Sequence, residues 1–139
     1  MTLKAPILIA EDDADDRFLL KTAFAENGYT DTIDWVENGV EVMNYLHGQD
    51  KSVHPAFILL DLNMPKKNGR EVLKEIKEDP ELKKIPVIIF TTTKNEKEIN
   101  RCYELGANSY IVKPSSFELL LKIIRQVRNY WLMTSSTPV

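Results

Sequence analysis

One cysteine, Cys102, is the only thiol in the 139 residues. No internal disulfide can form, and a reducing compartment suits the chain. Cys102 itself reads as a small, half-buried hydrophobe on a helix, with no histidine near it in sequence. No apolar run approaches the ~20 residues of a membrane span. The opening Met1-Thr2-Leu3-Lys4-Ala5-Pro6 is too short and too soon interrupted to be a signal peptide. Long basic blocks are also missing, and the net charge is −3, so the electrostatic footprint of a nucleic-acid binder is not there. There is no Gly-x-x-x-x-Gly-Lys loop, which argues against nucleotide hydrolysis. His47 and His54 read as surface residues without metal-ligand spacing. These absences predict a cytoplasmic protein with neither a membrane nor a nucleic-acid partner.

What remains is an ordinary globular composition, 43% apolar and 28% charged. At this length a domain buries roughly two-thirds of its unfolded surface. We expect a single domain over 1–139, with a core over about 5–132, a loose tail over 133–139, and no appended output domain.

Short apolar runs alternate with amphipathic stretches. Ile7-Leu8-Ile9-Ala10, Phe57-Ile58-Leu59-Leu60 and Val87-Ile88-Ile89-Phe90 are uninterrupted, as strands buried on both faces require. Ile33–Val36 and Tyr110-Ile111-Val112 complete five strands. Helices are expected over Ala14–Asn27 (through Phe18, Leu19, Thr22, Ala23 and Phe24), after Asn38-Gly39, around Val72, Leu73 and Ile76, over Lys94–Leu105 with Gly106 as C-terminal cap, and over Ser115–Trp131. The last opens on a capping-box pattern, Ser115-x-x-Glu118. Strands alternating with helices predict an α/β protein with a doubly wound, five-stranded parallel sheet of the flavodoxin-like (β/α)5 kind. Functional residues should gather beyond the carboxyl ends of its strands.

At those ends stand Glu11-Asp12-Asp13, Asp61, Thr91 and Lys113-Pro114. Glu11, Asp12 and Asp61 would bring three negative charges together against the one positive charge of Lys113. Such crowding raises carboxylate pKa values, and a divalent cation would offset it. All-oxygen ligands favour Mg²⁺ or Mn²⁺. Lys113 can hold a phosphoryl oxygen as a point charge, and a carboxylate can act as a nucleophile to form an aspartyl phosphate. Asp15 and Asp16 read as acids suited to a helix N-terminus.

Glu11-Asp12-Asp13, Asp61-Leu62-Asn63-Met64-Pro65 with Gly69, Phe90-Thr91-Thr92 and Tyr110-Ile111-Val112-Lys113-Pro114 together resemble the receiver domains of two-component response regulators. The resemblance implies Asp61 as phosphoacceptor and Asp12 as direct metal ligand. It implies Glu11 acting through metal-bound water and Asn63 through its backbone carbonyl. Lys113 would bind the phosphoryl group, in a cis peptide bond to Pro114. Thr91 and Tyr110 would be the switch residues, and a histidine kinase the phosphodonor. Thr93 and Asn63 occupy positions to which self-hydrolysis in this family is sensitive. Aspartate-nucleophile phosphatases, the enzyme alternative, usually carry a second Asp two residues after the nucleophile. Here that residue is Asn63, so we expect a phosphoacceptor rather than an enzyme.

On the last helix, Phe117, Leu120, Leu121, Ile124, Val127 and Trp131 form one apolar stripe. Leu119, Ile123 and Tyr130 form a second, adjoining stripe, and the two together are wider than a singly buried helix needs. Either this terminal helix is deeply packed or the second stripe is an interface, and for the interface we expect a homodimer through the face built by the fourth helix, fifth strand and fifth helix. The ending Tyr130-Trp131-Leu132 resembles the stand-alone regulators paired with phytochrome-type histidine kinases.

Overall fold

The uninterrupted apolar runs become the centre of one sheet. The computed structural model describes residues 5–48 and 54–136; the Met1–Lys4 start and the last three residues of the expected tail lie outside them. The strands are β1 (Ile7–Ala10), β2 (Ile33–Val36), β3 (Phe57–Leu60), β4 (Val87–Thr91) and β5 (Ser109–Val112). All pair in parallel, in the order β2-β1-β3-β4-β5. β1, β3 and β4 are buried along their whole length, because helices cover both faces of the sheet. The edge strands β2 and β5 are only partly buried.

The helices are α1 (Ala14–Glu26), α2 (Gly39–Gly48), α3 (Gly69–Glu78), α4 (Glu96–Leu105) and α5 (Phe117–Asn129). α1 and α5 cover one face, with Leu20, Phe24, Leu120 and Ile124 packed on Ile7, Ile9, Leu59 and Ile88. α2, α3 and α4 cover the other, with Val42, Leu46, Leu73, Ile76 and Cys102 packed on Leu8, Ile58 and Ile89. The flavodoxin-like doubly wound architecture expected from the sequence is the one observed. No helix among the described residues is long and apolar enough to cross a membrane.

Helix ends follow side-chain caps. Asp13 caps α1 by accepting the Asp15 N–H. Asn68 and Glu71 form a reciprocal capping box on α3. Asn95 takes the cap of α4, so that helix starts at Glu96 rather than Lys94. Gly106 ends it at φ 109°, a conformation open to glycine and strained for other residues.

Two helix readings need correction. α5 is capped by Ser116, whose side chain accepts the Leu119 N–H, so the Ser115–Glu118 box does not form. The α-helix gives way after Asn129 to a wider π-type turn over Tyr130–Thr134. On α1 the buried side chains are Leu20, Ala23 and Phe24, while Phe18 is 67% and Leu19 41% exposed. This register also satisfies polar anchors: Arg17 donates to the carbonyls of Glu11 and Asp12, and Asp16 reaches Lys113.

Candidate functional site

The sheet order reverses between β1 and β3, the switch point where such sheets place their sites. Ala10 of β1 lies opposite Leu60 of β3, so the residues that follow, Glu11 and Asp61, emerge side by side. Backbone bonds fix both: the Asp61 N–H donates to Ala10 O at 3.2 Å and the Glu11 N–H to Val36 O at 3.0 Å. The Lys113 N–H donates to Thr91 O at 2.8 Å, bringing the end of β5 beside that of β4. Glu11, Asp61 and Thr91 are buried, whereas Asp12 is exposed.

Carboxylate oxygens of Glu11, Asp12 and Asp61 lie within 4.8 Å of one another. This all-oxygen set, open to solvent on the Asp12 side, fits a hard divalent cation that keeps part of its water shell. Burial pushes the Glu11 carboxyl up to about 7; the charge of Asp61 adds to this, and hydrogen bonding to Lys113 only partly offsets it.

Lys113 reaches across the site. Its Nζ donates to Glu11 Oε1 at 2.6 Å, Asp16 Oδ2 at 2.7 Å and Asp61 Oδ2 at 3.0 Å. Burial alone would lower its pKa, but the hydrogen bonds to Asp16 and Glu11 and the charges of Glu11 and Asp61 outweigh this. They hold the ammonium above the usual lysine range. The Phe90 ring lies 5.9 Å from the same Nζ. The expected cis bond to Pro114 is not present: every peptide bond among the described residues is trans. Trans is the ordinary preference of an X–Pro bond, and in this backbone Lys113 already reaches all three carboxylates.

On the β3 and β4 side, the Asn63 backbone N–H donates to Asp61 Oδ1 at 3.1 Å. The Asn63 side-chain amide donates at 3.3 Å to the hydroxyls of both Thr91 and Thr93. The Tyr110 hydroxyl donates to Thr93 O at 2.6 Å, and its ring packs on the α2–α3–α4 core. Burial first, then the neighbouring Cys102 and Glu98, pushes the Tyr110 phenol up to about 12. Asp61, Asn63, Thr91, Thr93 and Tyr110 therefore form one bonded line from the acidic crevice into the β4–α4 loop. Gly69 closes the loop after β3 so tightly that a Cβ there would meet Asp61 O at 2.3 Å. That contact explains a glycine at this position.

The structure thus brings together Glu11, Asp12, Asp61, Thr91 and Lys113, as expected, with Asn63 bonded to Asp61. Leu119 and Tyr130 are exposed, while Ile123 is partly buried against the α1–α5 core. Cys102 is fully rather than half buried, and burial pushes its thiol up to about 11. Two residues were missed. Asp16 does more than favour a helix N-terminus: it is an ion-pair partner of Lys113. Arg17 pins the loop between β1 and α1 and pairs with Glu37 at 2.9 Å. The available signal was position: Asp16 lies three residues beyond the capping Asp13, on a turn that faces back to the strand ends.

Residues 7–125 match the response regulator receiver domain family. The chain belongs to that family. The response regulator Rcp1 of Synechocystis is 38% identical over 135 residues, covering 95% of this chain and 92% of Rcp1. The probable methanogenesis regulatory protein FilR2 of Methanothrix harundinacea is 37% identical over 135 residues, covering 95% and 86%. The crystal structure of the phosphorylated cyanobacterial phytochrome response regulator RcpA superposes with a TM-score of 0.89 at 38% identity, covering 99% of this chain and 100% of that one. The Mn²⁺-bound form of Rcp1 superposes with a TM-score of 0.87 at 36% identity, covering 97% and 99%. This receiver domain therefore has a phytochrome response regulator among its relatives, and another relative has been seen with Mn²⁺.

Proposed function

We propose that this receiver domain accepts a phosphoryl group on Asp61 from a histidine kinase, a phytochrome-type light sensor being the favoured donor, and signals in the cytoplasm through its own surface. The observation that carries this reading is the buried Asp61 carboxylate. Lys113 holds one of its oxygens, and the carboxylates of Glu11 and Asp12 stand beside it.

An Asp61 oxygen attacks phosphorus as the P–N bond of the donor phosphohistidine breaks, and the departing imidazole keeps the electron pair and takes a proton from water. Mg²⁺ or Mn²⁺, held by Asp12, Asp61, the Asn63 carbonyl and, through water, Glu11, would neutralise charge on the phosphoryl oxygens. Lys113 supplies a further positive charge there. The Thr91 hydroxyl, now held by Asn63, turns to a phosphoryl oxygen. Tyr110, joined to the same loop through Thr93, carries the change to the surface of α4, β5 and α5. That surface exposes Tyr103, Val112 and Leu119, with Tyr130 just beyond α5. We assign a homodimer contact to it through Leu119, Ile123 and Tyr130.

The partner reading is tested with a phytochrome-type kinase autophosphorylated on histidine with labelled ATP. Transfer to the wild-type chain within minutes, blocked by EDTA and by Asp61→Asn, is expected. No transfer to the wild-type chain would overturn the phytochrome-type donor, and transfer that persists in Asp61→Asn would overturn Asp61 as acceptor.

A further inference from the structure

Lys113 carries three ammonium protons and no acceptor. All three have partners: Glu11 at 2.6 Å, Asp16 at 2.7 Å and Asp61 at 3.0 Å. A phosphoryl oxygen on Asp61 that binds Lys113 must displace one of them. Phosphorylation turns the Asp61 carboxylate into a neutral acyl linkage, so the Asp61 bond is the one surrendered. The other two remain, provided that something holds them.

Glu11 is held by the sheet and is almost wholly buried. Asp16 belongs to α1, and its side chain is 33% exposed against 2% for Glu11 and 7% for Asp61. On the side of Asp16 the ammonium borders a cavity of about 230 Å³ walled chiefly by Leu19, Phe90, Pro114 and Phe117. Asp16 is the one carboxylate on that lining, whose other polar side chains besides Lys113 are the hydroxyls of Ser115 and Ser116, the latter already capping α5. Without Asp16, one N–H of Lys113 would face the cavity with no charged acceptor, and the ammonium could rotate.

We propose that Asp16 is a positioning residue, which with Glu11 holds two of the three Lys113 protons and leaves the third aimed at Asp61, where a phosphoryl oxygen takes it over. The proposal rests on Asp61 being the acceptor. It assigns α1 a part in phosphoryl transfer that no strand-end residue fills.

The test compares the full chain with Asp16→Ala, Asp16→Asn and, as a control for lost surface charge, Asp15→Ala. Phosphoramidate with Mg²⁺ is the phosphodonor. Asp16→Ala should slow labelling about tenfold at saturating phosphoramidate, with half-saturation by Mg²⁺ held within about twofold. Asp16→Asn keeps an acceptor oxygen and should lose only about threefold, while Asp15→Ala should match wild type. Nitrogen-15 spectra of the lysine ammonium groups give a readout independent of labelling. The Lys113 signal should be resolved and slow to exchange in wild type, and lost to exchange in Asp16→Ala. Where Asp16→Ala fails to fold, the isosteric Asp16→Asn decides. Wild-type labelling rates with an intact Lys113 signal in the Asp16 variants would overturn the proposal, as would equal slowing by Asp15→Ala. A wild type that is never labelled counts against the Asp61 reading instead, and the Lys113 spectra still decide whether Asp16 holds the ammonium.

Discussion

At the residue scale, the site sets charge against burial, and Glu11 bears most of that conflict. Its carboxyl is raised to about 7, even though Lys113 lies 2.6 Å away. Attraction to the ammonium is therefore outweighed by desolvation and by Asp61. Between the usual carboxylate pKa of 4.5 and about 7, the native state keeps a proton that the unfolded chain has released. The stability contributed by that proton is full below the lower value, falls as pH rises through the window, and is gone above about 7. In a chelator, Glu11→Gln should then stabilise the protein at pH 8 by something on the order of 1–3 kcal/mol. The gain should vanish near pH 4.5, where wild-type Glu11 is itself neutral. Thermal melts across pH with EDTA check this, and a gain that is constant with pH would contradict it.

The residue scale is also where sequence reading was most and least successful. Glu11, Asp12, Asp61, Thr91 and Lys113 were legible because each stands at or just past the end of an apolar strand, and parallel strands share one carboxyl edge. Asp16 was not, because its role depends on where a helix places its first turn in space. The Lys113–Pro114 bond was read from family pattern, and the geometry reaches the same ammonium contacts with an ordinary trans peptide.

At the element scale, uninterrupted apolar runs identified β1, β3 and β4, since a strand buried on both faces needs no alternation. α1 was harder. Phe18-Leu19-Leu20 offers competing apolar faces, and the one buried carries Leu20, Ala23 and Phe24, in a register that also lets Arg17 and Asp16 reach the strand ends. α5 is fastened at its far end by a device with no sequence signature. Arg128 donates through Nε and Nη2 to both oxygens of Asp31, at 2.9 and 3.1 Å, and its guanidinium stacks 4.2 Å from the Tyr29 ring. Asn27 also donates to Leu121 O at 3.0 Å. These contacts tie α5 to the segment between α1 and β2, nearly 100 residues earlier in sequence. Both side chains of the pair are largely buried, so Arg128→Ala leaves Asp31 without its partner. It should lower stability by roughly 2–3 kcal/mol in urea unfolding. A loss below about 0.5 kcal/mol, typical of exposed pairs, would contradict the assigned weight.

At the scale of the whole molecule, the site and the exposed apolar surface lie on connected elements. Tyr110 and Thr93 link the acidic crevice to the β4–α4 loop, and beyond that loop lie Tyr103, Val112, Leu119 and Tyr130. If copies of this chain meet there, Leu119→Asp and Tyr130→Asp should each yield a monomer by light scattering, with melting temperatures close to wild type. A wild type that is monomeric both with and without beryllofluoride would contradict the dimer. The central claim concerns one carboxylate, and peptide mass spectrometry after incubation with phosphoramidate and Mg²⁺ tests it most directly. We expect a single phosphoryl group on the peptide containing Asp61, absent with EDTA and absent from Asp61→Asn. Equal labelling of Asp61→Asn, or a phosphoryl group mapped to another residue of the wild-type chain, would contradict the account.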